Sequence, residues 1–288
     1  MDWLNAVIQG LLLGGLYALF ATGLSLMFGV MRIINLAHGD LAVVASFLAL
    51  ALVSGTGLPL WFVLVVTVPL FAALGYLTQR VLLQRSLASG PLATLLVTFG
   101  LSIVLQNVLL EVFSADTHTL DGGRFATGSF ELTGSISIGY LSLATFLLAC
   151  AVLVGIQMFL SRTGLGRMLR ASSDDPETAN LVGADSRHVY GIATVIAFAT
   201  VALAGVMFAM RSSFDASIGP SRLIFAFEAV VIGGLGSLWG TLLGGIVLGV
   251  TQSLGAQIDP ALTLLAGHLV FLAVLAFRPQ GLIAGRTT

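Results

Sequence analysis

No lysine occurs anywhere in the 288 residues; all 12 cations are arginines. That excludes a phosphate-binding loop of the G-x-x-x-x-G-K-[ST] type, a Schiff-base lysine and an S-x-x-K nucleophile. Any work driven by ATP therefore needs another chain to bind the nucleotide. Cysteine is nearly as scarce. Cys150 stands alone in an apolar run, which excludes intrachain disulfides and cysteine-rich metal sites. Charged residues make up 9% of the chain, against about a quarter in a soluble protein. The net charge of −1 leaves no basic footprint for nucleic acid.

What the chain has instead is apolar. Hydrophobic residues make up 57% of it and the mean hydropathy is +1.05. No single globular core hides that much apolar surface behind so few charges, so a soluble enzyme is excluded. The charges are clustered and separated by uncharged windows, and about 20 apolar residues span a bilayer as a helix. The sequence predicts an all-α, multi-pass membrane bundle forming one domain over 1–288. Its segments are expected at 4–31, 41–54, 59–79, 92–110, 141–160, 189–210, 223–237, 240–258 and 262–277. Segments 41–54 and 223–237 are short for a crossing. Such pieces are half-helices or re-entrant segments, packed inside protein or lining a cavity. The first window lacks a basic n-region and is too long for a cleavable signal peptide.

Arginine placement sets the orientation. Arg80 and Arg85, then Arg162, Arg167, Arg170 and Arg187, then Arg278 and Arg286 are assigned to the cytoplasm. The acidic stretch 111–131 is assigned to the outside, with Arg211, Asp215 and Arg222, and so is the N-terminus. Gly39 and Pro59 are twenty residues apart, as are Gly240 and Pro260. This spacing is either an internal duplication or chance in a chain rich in Gly and Leu.

Three stretches can carry function. The loop 162–188 is the largest polar segment on the arginine-rich side. Asp174 or Asp175 can cap a helix there, Pro176 suits its first turn, and Glu177 complements the dipole. Ala179, Leu181 and Val182 give it a small apolar face, and Gly183 can end it. It is either an ordinary solvated loop or a short helix held by a docking partner. The second stretch is Arg32-Ile-Ile-Asn35-Leu-Ala-His38-Gly39-Asp40. Arg32 and Asp40 read best as charges in a loop outside the membrane; Asn35 and His38 can cap the next helix or line a pathway. The third runs from Phe227 to Gly240, with Gly233, Gly234 and Gly236 predicting a helix break in the membrane. Glu228 either faces a cavity or sits at the outer interface. His118 and His268 carry no expected role.

These stretches, in this order, resemble the permease subunits of ABC importers for branched-chain amino acids, of the LivH type. The resemblance rests on Gly29-Val-Met-Arg32-Ile-Ile-Asn35-Leu-Ala-His38-Gly39, and on Arg170-Ala171 with Ala179 and Gly183. It rests also on Val231-Ile-Gly233-Gly234-Leu-Gly236-Ser237-Leu-Trp239-Gly240 and on Arg278-Pro279-Gln280-Gly281-Leu282. It implies a helical bundle of about eight spans in the bacterial inner membrane and a transport subunit, not an enzyme. It also implies a coupling helix at 174–184, and points to Arg170, Asp174, Glu177, Ala179 and Gly183 as the coupling residues. The implied partners are a LivM-like sister permease, two ATPase subunits that bind the ATP, and a periplasmic substrate-binding protein. This chain itself would hold no cofactor, no metal and no catalytic residue. Asn35, His38, Asp40, Glu228, Gly233, Gly234 and Gly236 are the candidates for the pathway and its helix break. Arg211, Asp215 and Arg222 would suit docking of the binding protein. The substrate is left open among branched-chain amino acids, other amino acids and amides such as urea. The alternative, a secondary transporter of a small polar solute, wants more intramembrane charge than Asp40, Glu228, His38 and His268 supply.

Overall fold

The computed structural model describes residues 2–133, 136–181, 183 and 185–283. Val182 of the short amphipathic helix and Arg286 of the last arginine pair lie outside them. The chain runs α1 (Asp2–Met31), α2 (His38–Thr56) and α3 (Leu60–Thr78), then a π-turn (Gln79–Leu83) into α4 (Gln84–Ala88). It continues through α5 (Pro91–Phe113), α6 (Gly123–Thr127), a hairpin of β1 (Ser129–Thr133) and β2 (Ile136–Gly139), and α7 (Tyr140–Arg162). It ends with α8 (Gly164–Asp174), α9 (Pro176–Leu181), α10 (Ser186–Arg211), α11 (Gly219–Gly233), α12 (Leu238–Ile258) and α13 (Leu262–Phe277). Among the described residues, 7 helices are long and apolar enough to cross a membrane, and α13 is a shorter apolar helix. The polytopic helical bundle is therefore as expected. The antiparallel hairpin, with Phe130 opposite Ile138, was not foreseen. Each of the two spaced Gly–Pro pairs spans a helix: Gly39 lies in the first turn of α2 and Pro59 follows it, and Gly240 lies in the first turn of α12 and Pro260 follows it.

The bundle is organised around α1. Its apolar window is 83% buried, against 22% for α5 and α7, so α1 is the axis and the other two sit at the rim. Lipid tails are as apolar as leucine, so helices in a bilayer associate by close packing instead of by escaping water. The α1–α12 contact does this with glycines from both sides. Gly10 and Gly14 face Gly245 and Gly249 so closely that a methyl at Gly249 would lie 2.6 Å from the Gly14 nitrogen. Several buried hydroxyls are satisfied within their own helices: Thr22 donates to the Ala18 carbonyl, Ser46 to Ala42, Thr145 to Leu141.

Two helices depart from the expected segments. The short 41–54 segment is a 19-residue helix that starts three residues earlier, at His38. The 223–237 segment is α11, which starts at Gly219 and ends at Gly233. At 1.5 Å per residue α11 is only about 22 Å long, short of the roughly 30 Å hydrocarbon core.

Replacing Gly249 with Val should force α1 and α12 apart and lower the melting temperature of the detergent-solubilised protein. Gly155 has nothing within 4 Å of an added methyl, so Gly155→Val should melt like the parent. A Gly249→Val protein with unchanged melting would show that α12 does not depend on this close approach.

Candidate functional site

Arg32 ends α1 in a left-handed conformation, φ 54°, and turns the chain back into the bundle. Residues 32–37 then climb without helical structure until α2 starts. Three contacts fix the depth of that start. His38 Nε2 lies 2.8 Å from the Phe20 carbonyl of α1, and Ser102 Oγ of α5 donates to Asp40 Oδ2 at 2.5 Å. Gly39 abuts Gly219, the first residue of α11. Phe20 and Ser102 lie in interior turns of long helices, so α2 begins near mid-span. The expectation of a solvated loop at Arg32–Asp40 is therefore corrected for Asp40, which is 1% exposed. Asn35 and His38 are buried with it.

The chemistry of this node follows from its geometry. A carbonyl only accepts, so the His38 proton facing Phe20 sits on Nε2. The ring fits only because residue 23 is glycine; a methyl there would lie 2.8 Å from His38 Cε1. Asn35 Oδ1 accepts from the Ala37 amide at 3.1 Å, closing the turn that launches α2. Asp40 stands in the first turn of α2 and against the first residue of α11. Both helix N-termini carry partial positive charge, and one carboxylate faces both. Gln106 supports it by donating to Ser102 Oγ at 3.1 Å. Asn35 Nδ2, His38 Nδ1 and Asp40 Oδ1 have no hydrogen-bond partner among the described residues.

A second polar group lies on the other side of α11. Glu228 is buried and meets His268 of α13. Tyr17 donates to Gln252 Oε1 of α12 at 2.5 Å, and the Tyr17 ring lies 5.3 Å from Phe225. His268, for which no role was expected, is thus the partner of Glu228. The one signal in the sequence was two ionisable residues in neighbouring apolar spans. Arg222 lies over the rings of Phe208 and Phe225, and Arg211 donates to Ser142 at 2.8 Å. Both arginines are half-buried against the chain.

Gly233, Gly234 and Gly236 lie at the arginine-rich end, where α11 turns back into α12. A Cβ at Gly233 would collide with Gly240, and one at Gly244 with Ala229, so the two helices pack antiparallel. Gly234 and Gly236 have φ of 111° and 78°, which glycine alone adopts freely. Leu282 and Ile283, beyond α13, donate to the Ile232 and Gly233 carbonyls at 2.8 and 2.9 Å. The break is real, but it is a tight turn tied down by the C-terminal segment. The non-helical stretch that launches α2 near mid-span is 32–37, and 212–218 leads from the pairing of Phe214 with His118 to the start of α11.

The 162–188 loop forms α8 and α9. Asp175, not Asp174, caps α9: its Oδ1 accepts the Glu177 and Thr178 amides at 3.1 Å each, and the Thr178 hydroxyl donates to Oδ2. That hydroxyl, with the amides, holds the Asp175 carboxyl below its ordinary range. A lowered value means the cap is complete at neutral pH and fails only as acid titrates through it. Asp174 is the last residue of α8. Arg170 donates to the Leu160 carbonyl, and Ser173 to the Gly29 carbonyl, pinning α8 to the ends of α7 and α1. Ala179 is buried within the chain, Glu177 is exposed, and Leu181 is 87% exposed. Gly183, φ 91°, follows α9. A cavity of about 160 Å³ separates α8 from the chain reversal, lined by Met31, Arg32, Ser173, Asp174, Pro176 and Tyr190.

Residues 6–277 match the family described as branched-chain amino acid transport system / permease component. The chain belongs to this family. BraD, a high-affinity branched-chain amino acid transport system permease protein of Pseudomonas aeruginosa, is 33% identical, over 98% of this chain and 95% of its own. LivH of Escherichia coli K12 is 28% identical over the same shares. LivM of that organism is 26% identical over 93% of this chain and 68% of its own. Relatives of both LivH and LivM kinds thus align with the permease almost end to end, and the chain is a transport component, not an enzyme.

Ser102→Ala would leave the Asp40 carboxylate without its donor, at a cost of about 1.5–3 kcal/mol. Asp40→Leu would remove the charge that faces two helix starts. Both permease variants should melt earlier in detergent, and unaltered melting of both would show that the node is not a clamp.

Proposed function

We propose that the chain is the permease subunit of an ATP-driven ABC importer for branched-chain amino acids. It sits in the bacterial inner membrane as one domain over 1–288, with its arginine-rich end in the cytoplasm. Two ATPase subunits bind the ATP, a LivM-like sister permease completes the membrane unit, and a periplasmic binding protein delivers substrate. This chain needs no cofactor of its own. Membership of the permease family disfavours the alternative of a secondary transporter.

One observation carries the coupling: the bond from Ser173 to the Gly29 carbonyl. It ties the α8–α9 segment to the last turns of α1, three residues before the reversal at Arg32. From there the chain leads straight to Asn35, His38 and Asp40 at mid-span. A push on α9 is thereby passed to the start of α2 without crossing a flexible linker. Arg170 and Asp174 hold and border that lever, Glu177 and Leu181 present its outer surface, and Ala179 with Gly183 shapes it. Asn35, His38, Asp40 and Glu228 are the polar groups nearest the route, and the turn at Gly233, Gly234 and Gly236 anchors its cytoplasmic end.

Reconstituted with its partners in liposomes, the permease should import leucine with internal ATP and no ion gradient. Uptake driven by a proton or sodium gradient without ATP would sink the proposal. Glu177→Arg and Leu181→Asp alter only exposed positions on α9. Both should reduce ATPase co-purification, or leave assembly intact while lowering substrate-stimulated hydrolysis. Full assembly with full stimulation in both would show that α9 is not the docking surface.

A further inference from the structure

The Glu228–His268 pair joins α11 to α13, and its two members differ sharply in exposure. The Glu228 side chain is 3% exposed and that of His268 is 41% exposed. His268 is the seventh of the 16 residues of α13, so it opens outward in the middle of a span. Its Nδ1 is held by Glu228, and Nε2 has no hydrogen bond within the described residues. Around it α13 exposes Leu264, Leu265, Leu269 and Leu272. Directly behind it, Gly267 lets Gln252 approach, whose Nε2 is buried without a partner, as is Glu228 Oε2.

Leucines of this kind suit lipid. A half-exposed imidazole, paired to a buried carboxylate and with one nitrogen free, does not, because hydrocarbon offers it no partner. The exposed faces of α3 and α7 show no such group: Trp61, Val65 and Leu70 on one, Leu147 and Val154 on the other. A soluble partner reaches only the ends of the bundle, not the middle of α13. The occupant must itself be membrane-embedded and must offer a polar group at mid-depth.

We propose that the α13 face centred on His268 is the seam on which the sister permease packs, with His268 Nε2 hydrogen-bonded to a polar side chain of that subunit. This rests on the reading of the chain as one of two different permease subunits in a transporter. Interhelical hydrogen bonds between polar side chains are one way in which membrane helices recognise each other.

The test is photo-crosslinking in the whole transporter, purified in nanodiscs. A benzophenone amino acid replaces Leu264 or Leu272, four residues either side of His268, with Val65 on α3 as the control. None of the three substitutions touches the pair itself. Irradiation should shift this chain by the mass of the sister permease from 264 and from 272, and not from 65. Adducts from 65 alone, or lipid adducts alone from 264 and 272, would overturn the seam while leaving the transporter reading intact, since the sister is still present. A shift by the mass of this chain would mean that a second copy occupies the face, which also overturns the proposal. If no sister permease co-purifies with the unsubstituted chain, the transporter reading fails and the seam with it. As a second readout, His268→Gln keeps a hydrogen-bonding group and should retain the sister, whereas His268→Leu with Glu228→Gln should lose it. Full retention in that double variant would overturn the polar contact.

Discussion

Backbone that leaves helical geometry inside a bilayer must be enclosed by protein, because lipid satisfies none of its amides or carbonyls. The rest of this molecule is arranged around that constraint at residues 32–37. Ile33 of the stretch packs among residues of α1, α8 and α10, and the helices around the start of α2 come close where side chains are absent. Gly23 makes room for His38, Gly39 and Gly219 let two helix starts meet, and Gly205 accepts the Ala42 turn of α2. One carboxylate, Asp40, then serves both helix starts and a hydroxyl of α5. Remove the enclosure and this arrangement has no stable home in lipid.

Much of the fold was legible because the bilayer imposes its own length scale. Windows without charge marked the spans, and glycine runs marked the tight α11–α12 turn. The errors arose where a local pattern meant something different in three dimensions. Asp40 looked like the polar edge of a loop because nothing near it in sequence can shelter a carboxylate. Its shelter is Ser102, 62 residues later. His268 looked idle because its partner is 40 residues earlier. The glycines at 233–236 were recognised as a break, yet a break at the end of a span and one in its middle carry the same composition. The strands of the hairpin are short, and Gln9 of α1 donates to the Ser137 carbonyl of β2 at 2.6 Å, a contact that nothing local in the sequence announces.

The α8–α9 segment shows how little polar sequence is needed to hold a short helix rigidly. α9 is a helix of 6 residues, far too short to persist on its own. It is held by its cap at Asp175, by the buried Ala179, and by an α8 bolted to two membrane helices. Gly166 is part of that bolt, since a Cβ there would strike Phe159 and Leu160. A bulky residue at 179 would therefore unseat α9 from its own chain before it met any partner. The exposed residues of α9, Pro176, Glu177, Thr178, Asn180 and Leu181, stand on a rigid mount.

The intramembrane polar groups sort into two kinds. Most hydroxyls return their proton to a carbonyl three or four residues back, and Thr194 reaches Gln79 at the π-turn; these groups are consumed by the fold. The unpartnered ones include Asn35, His38 and Asp40 at the start of α2, and Glu228 and Gln252 behind α13. An unpaired buried polar atom costs about 1–3 kcal/mol, so a chain built for stability alone would have replaced these with leucine. One group lies at the start of α2, and the other opens on α13 beside the half-exposed His268. Unspent polar capacity is thus concentrated at two places, the start of α2 and the contact of α11 and α12 with α13.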